Sequence, residues 1–579
     1  MSTIEPGMPE KAEPENVEAT ETEKVETAET ETATASSEKI ETAKPGAAKP
    51  VKPAKPAKAV KPATSAKRGR TGLRRTASIV SAVGVLALTT GVVLAQTQLD
   101  PPGTVSRELS ALQVPPTEVF VTCAGGLLAA PGSSTGTDSE LGGASEISSV
   151  TAALTLPRDG ARSPATLASL DGATATPLTA GTDVDLLASV NAASSSVLRA
   201  DPVGEEAAFP FGASVVRADG GDSRGLMAAS CTPSSSTTWL AGGRTEIGSS
   251  ALLVLRNPGS TAASVTITAW GPTGGLAVGG GTILVPAQSE SVQVLEALVP
   301  QVDKLVLRVD SVGGQVSAVV QTSALTGLTP AGTDLVVPTL APMTDQVIPG
   351  VVLTTSTLED PDPSAVRLLN AGTEPATVHL SLLGPDAVVN LTDEVGVIVE
   401  AGAVSDVSLA GAPPGNYALH VVSDQPVVAG AELVRVGLPA PEDPDVPVAD
   451  RAWLPAVEPV ESAAIALPGL GSLVDGAALV LANPGAAVAQ VSLRAIGADG
   501  AMLEVADVSV PAGLSLSLDV AQIEQAGAEL TALVVSSSEP VSAAITLTYG
   551  EALGQLIAVV TATLDPQVER SATVRVTLS

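Results

Sequence analysis

The sequence predicts an all-β protein: tandem immunoglobulin- or fibronectin-like β-sandwich modules that follow a disordered N-terminal tail and a single transmembrane helix. Three observations carry this expectation. Apolar and polar residues alternate at 265–269, 378–382 and 491–495, the period of a half-buried strand. Turn residues break such runs at short intervals, and only 519–528 offers a competing helical period. Finally, one motif recurs at a spacing of 113 residues, through Asn257, Asn370 and Asn483, about the length of one sandwich domain.

The elements follow in chain order. Of 62 acidic and 30 basic residues, 1–76 hold 12 and 14, which leaves 50 and 16 for the remainder, a balance of −34. Within the tail, residues 1–43 are rich in Glu, Thr and Ala and have too little to bury, so disorder is expected. The Lys/Pro/Ala-rich stretch 44–76 carries eleven Lys and Arg and no carboxylate; its Lys-Pro-Ala repeats predict an extended spacer. An uncharged apolar run at 77–95 has close to the roughly 20 residues needed to span a bilayer. Arg68, Arg70, Arg74 and Arg75 precede it, and no Lys or Arg follows until Arg107, which places the N-terminus in the cytoplasm and the bulk of the chain outside. The long segment ahead of this run favours an uncleaved signal anchor at 77–97 over a cleaved signal peptide.

Beyond the anchor, a first β-rich domain is expected at 104–235 and three sandwich repeats at 236–342, 343–450 and 451–579, the last ending in a strand at 571–579. Cys123 and Cys231 are the only cysteines. In an oxidising exterior they pair as a disulfide, the alternative being two buried thiols. The repeat has four anchors in constant order: Leu-Arg-Asn-Pro-Gly ending at Gly259, matched at Gly372 and Gly485; glycines 271, 384 and 497; the triplets 285–287, 399–401 and 510–512; and those at 316–318, 427–429 and 541–543. At the first anchor, Asn257, Asn370 and Asn483 should bond the backbone, Pro should preset φ, and Gly259, Gly372 and Gly485 should accept positive φ. The flanking strands would then form a hairpin, with Leu255 and Val265 facing one core. The stretch 439–445, Pro-Ala-Pro-Glu-Asp-Pro-Asp, predicts an interdomain linker.

The apolar anchor, the Cys123-Ala124-Gly125-Gly126 element, Cys231 ahead of Trp239, and the Asn-Pro-Gly and Val-Pro-Ala pattern resemble the actinobacterial DUF5719 family of exported or membrane-anchored proteins. The resemblance covers roughly 75–579. It implies location and fold, and no activity.

Composition narrows function further. Excess acid and only eight aromatics argue against nucleic-acid partners. The two histidines, His379 and His420, fall at solvated strand positions, leaving no base for a nucleophilic triad. Carboxylate pairs are too abundant for any one to indicate glycan hydrolysis. The acidic pairs Asp360/Asp362 and Asp443/Asp445 lack the spacing of a calcium loop, so no cofactor or metal is expected. The chain is therefore read as a non-catalytic envelope scaffold or binding protein, its contacts being the membrane and an envelope protein or neutral glycan. The alternatives are a transmembrane link to a cytoplasmic partner and, third, a glycan hydrolase.

Overall fold

The computed structural model describes residues 116–128, 146–441, 443–524 and 530–566. The tail 1–76, the apolar segment 77–97 and the expected strand at 571–579 lie outside them. Among the described residues no helix is long and apolar enough to cross a membrane, and the helices present, Leu295–Leu298 and Val520–Glu524, are about one turn each. The remaining regular structure is strand.

The second sandwich shows the pattern most plainly. Its first strand Thr237–Ala241 pairs with the fifth, Val306–Val312, which pairs with the third, Ala263–Gly271. In the facing sheet the fourth strand, Ser289–Val294, pairs with the second, Ser249–Asn257; the second pairs with the sixth, Ser317–Thr326, and the sixth with the seventh, Thr329–Val336. Every pairing is antiparallel. Alternation decides which side faces in: Val265, Ile267 and Ala269 are buried while Ser264 and Thr266 are exposed. They meet Leu253 and Leu255 from the opposite sheet in one core.

The same order of strands recurs three more times. In the third and fourth sandwiches the fifth and sixth strands run on as one, Gly415–Ala440 and Leu530–Glu551, so each joins both sheets of its sandwich. The first sandwich has the same order although it lacks the Asn-Pro-Gly anchor, which is why it does not register as a repeat in the sequence. In an immunoglobulin domain the second strand lies beside the fifth and the third beside the sixth. Here the second strand lies beside the sixth and the third beside the fifth, so the central strands pair differently while the seventh keeps its place beside the sixth.

Three local expectations are corrected. The strands flanking Asn-Pro-Gly do not form a hairpin, because Ser249–Asn257 and Ala263–Gly271 belong to different sheets; the turn is an arch over the core, which is how Leu255 and Val265 come to share it. Gly259, Gly372 and Gly485 do not adopt positive φ. The Pro-rich stretch 439–445 is the tip of a long hairpin between Gly415–Ala440 and Asp443–Pro455, so the division at 450/451 falls inside a strand.

The four sandwiches close into a ring. First meets second through a core of Val216, Met227, Val254, Val319 and Leu335, and second meets third through Trp239, Val306, Leu369 and Val428. Third meets fourth where Val347, Leu383 and Ala418 pack on Val480 and Ala482. Fourth returns to first: Phe209, Phe211 and Leu154 share one continuous core with Leu533, Ile545 and Leu556. The Arg158 guanidinium seals this last joint with a two-pronged bond to Asp565.

Candidate functional site

Each anticipated turn residue forms the same clasp. The side chains of Asn257, Asn370 and Asn483 are fully buried, and each Oδ1 accepts the N–H of Gly259, Gly372 or Gly485 at 3.0 Å. Each Nδ2 donates twice: to the carbonyl four residues on, at Thr261, Glu374 or Ala487 (2.7–2.8 Å), and to Val285, Val399 or Val510 (2.9–3.1 Å). The first and third sequence anchors are thus the two ends of one clasp, in which the Asn side chain pairs the carbonyl of a buried valine at 285, 399 or 510. The glycine keeps the clasp uncrowded, since a Cβ there would stand 3.1–3.2 Å from the Asn oxygen, closer than ordinary contact.

Cys123 and Cys231 form a disulfide with Cα atoms 4.1 Å apart. His379 is exposed on strand Ala376–Leu383, and His420 bonds Asp345 at 2.8 Å. Three of the four carboxylates considered for calcium are engaged by protein: Asp360 caps Thr357, Asp362 pairs with Arg451, and Asp443 accepts from Thr329. No group of three or more His, Cys, Asp or Glu is arranged to hold a metal ion among the described residues.

The densest chemistry lies where the four closing strands meet: Gly225–Ser230, Thr329–Val336, Asp443–Pro455 and Gly554–Thr561. Asp450, fully buried, belongs to the third sandwich, and its Oδ2 accepts from Ile557 N of the fourth (2.7 Å) and Leu226 N of the first (3.4 Å). The second sandwich lies against it at Gly332, where a Cβ would stand 2.9 Å from the Asp450 backbone. Asp450 therefore meets all four sandwiches, the first and fourth through its carboxyl and the second through its backbone. Asp334 of the second, also buried, takes the Trp453 N–H of the third at 2.6 Å.

Buried cations complete the network. Arg224 of the first sandwich pairs with Glu551 of the fourth at 3.0 Å and reaches Ala449 O of the third at 3.5 Å. Glu432 accepts Arg451 at 2.8 Å and Arg244 of the second sandwich, while Arg451 also donates to Ala331 O at 2.7 Å and pairs with Asp362. Arg367, almost completely buried, bonds Asp406 and Gly243 O and stacks on Trp453. Burial pushes the Glu432 carboxyl up, but Arg451, Arg244 and Arg367 outweigh it and hold it below its ordinary value. Burial dominates at Asp450, raising it to about 7 against the opposing Ile557 and Arg451 N–H groups and the Arg224 charge. Asp334 is raised as well, by burial first and by Asp450 in addition.

An open cleft of about 380 Å³ borders this network at the joint of the first and fourth sandwiches, lined by Arg217, Asp219, Arg224, Tyr549 and Glu551 among others. Arg217 stacks on the Tyr549 ring at 3.9 Å and pairs with Asp219, so the lining charges are satisfied within the protein.

The family model of DUF5719, a family of unknown function, matches residues 186–521, more than half the chain. The chain belongs to the DUF5719 family. The match runs from the first sandwich into the short helix of the fourth, and so takes in most of the ring. No curated protein matches the chain.

None of the axial residues of this DUF5719 ring stood out in the sequence. A signal was present: Arg367 interrupts Val366 and Leu368, and Asp450-Arg451 interrupts Val448-Ala449 and Ala452-Trp453. By strand register, Arg451 corresponds to Thr333 and Ile557. Charge in one repeat where another has an apolar residue marks a position whose partners lie in a different module.

Proposed function

We propose that this DUF5719 chain is a non-catalytic, membrane-anchored, extracytoplasmic protein of the bacterial cell envelope that presents a rigid four-sandwich ring as a scaffold or binding platform. Each sandwich is immunoglobulin- or fibronectin-like in having seven principal antiparallel strands in two facing sheets, although the central strands pair differently. The observation that carries the reading is the joint chemistry: the buried polar groups of Glu432, Arg451, Arg224 and Asp450 are spent on holding one sandwich to another. A platform needs fixed geometry, and buried networks of this kind rigidify once satisfied. The Cys123–Cys231 bridge accords with an oxidising exterior, and the apolar run at 77–95 with an anchor. Because the exterior is strongly acidic, neutral glycans or basic protein surfaces suit it better than anionic polymers.

The test incubates the purified exterior, residues 104–579, with cell-wall and membrane fractions. Retention without release of soluble sugar supports the proposal. Release of sugar would replace it with hydrolysis, and a reporter at Ser579 found in the cytosol would reverse the topology.

A further inference from the structure

We infer that the Asp450 carboxyl is a proton-binding keystone: it sits protonated on the ring axis, and its ionisation loosens the joints among all four sandwiches. The geometry carries the inference. Oδ2 is occupied by two N–H donors from the fourth and first sandwiches, whereas Oδ1 is buried without a hydrogen-bond partner. An ionised carboxylate can only accept, so an unpaired buried oxygen is costly to it. A proton on Oδ1 removes that cost and supplies a donor. The Thr333 carbonyl borders the same small space: a Cβ on Gly225 would stand 2.8 Å from Asp450 Oδ1, 2.8 Å from Thr333 N and 2.9 Å from Thr333 O.

The charged groups facing Asp450 come from each sandwich. Arg224 of the first, itself paired with Glu551 of the fourth, favours ionisation, as does Arg435 on the adjoining strand of the third. Asp334 of the second opposes it and carries its own unpaired Oδ1. Burial outweighs the two cations, which leaves the group titrating near 7. The sign follows from linkage: with the folded value above the unfolded one, folding is unpenalised below about pH 4, loses ground as pH rises towards 7, and changes no further above it. A shift from 3.8 to about 7 corresponds to about three orders of magnitude in the folding equilibrium. Acidification therefore tightens the ring.

The test compares full-length protein with Asp450→Asn, an isosteric neutral variant, by denaturation at pH 4.5 and pH 7.5. The expected result is a higher midpoint for D450N at pH 7.5, by up to about three orders of magnitude in the equilibrium constant, and a much smaller gap at pH 4.5. A lower midpoint for D450N at both pH values would overturn the inference, as would a chelator that destabilises the wild type alone, which would indicate a bound cation. Should D450N fail to fold, carbon NMR of aspartate-labelled protein decides: at pH 6 the wild type and Asp334→Asn each retain an Asp Cγ at the shift of a protonated acid, and its absence from the wild type or its loss in D334N refutes the proposal.

Discussion

Phe211→Ala separates a ring from a string of independent domains. Phe211 is fully buried, 5.8 Å from the Phe209 ring centroid, in the core common to the first and fourth sandwiches. Removing a buried Phe costs about 3–5 kcal/mol, transfer and cavity combined. The three tryptophans provide the assay, because Trp239, Trp270 and Trp453 all lie in the second and third sandwiches, away from the substitution. If the ring unfolds as one cooperative unit, its urea m value exceeds the ~3 kcal/mol/M of small domains, and the tryptophan-monitored midpoint falls by an amount on the order of 1 M. An unchanged tryptophan transition, alongside a separate far-UV phase that moves, would show that the first sandwich melts alone and would refute the closed ring.

Other perturbations probe the parts. Asn370→Ala removes the clasp's bonds to the buried Val399 carbonyl, the Glu374 carbonyl and the Gly372 N–H, so denaturation should show a loss of about 1–3 kcal/mol; Asn370→Asp restores only the acceptor and should recover little. Reducing Cys123–Cys231, which spans 108 residues, should cost at most about 4–5 kcal/mol, read as a midpoint shift between oxidised and reduced protein. Glu432→Gln removes the charge that Arg451 and Arg244 share, leaving Arg451 only Asp362 as a counter-ion, and should cost at most about 3–5 kcal/mol at pH 7. Since Glu432 titrates below its ordinary 4.5, its stabilisation is present above that value and is lost as pH falls through the folded one. The wild type should therefore lose its advantage over the variant in acid, a trend opposite to that of Asp450.

Strands and repeats are legible in the sequence because their causes are local. Alternation at 265–269 and the recurrent Asn-Pro-Gly need only neighbouring residues to be understood. The clasp is half visible: the Asn-Pro-Gly motif predicts that Asn257 bonds its own turn, but its second bond, to Val285, crosses 28 residues and depends on the two sheets facing each other. The hairpin expectation failed for the same reason, since sequence shows a reversal of the chain without showing which sheet receives the next strand. Ring closure lies further from view. Asp450 meets Leu226 across 224 residues and Arg158 meets Asp565 across 407, separations at which neither periodicity nor turn chemistry carries information. Asp450 is masked further by the Pro-rich hairpin tip ahead of it, whose composition matches that of a linker.

Small-angle X-ray scattering on the chain from residue 108 onward tests the central claim most directly. Four sandwiches closed into one body predict a radius of gyration of about 23 Å, the value for a compact chain of this length. A value of about 40 Å or more, as four sandwiches strung end to end would give, would contradict the ring and the axial network built on it.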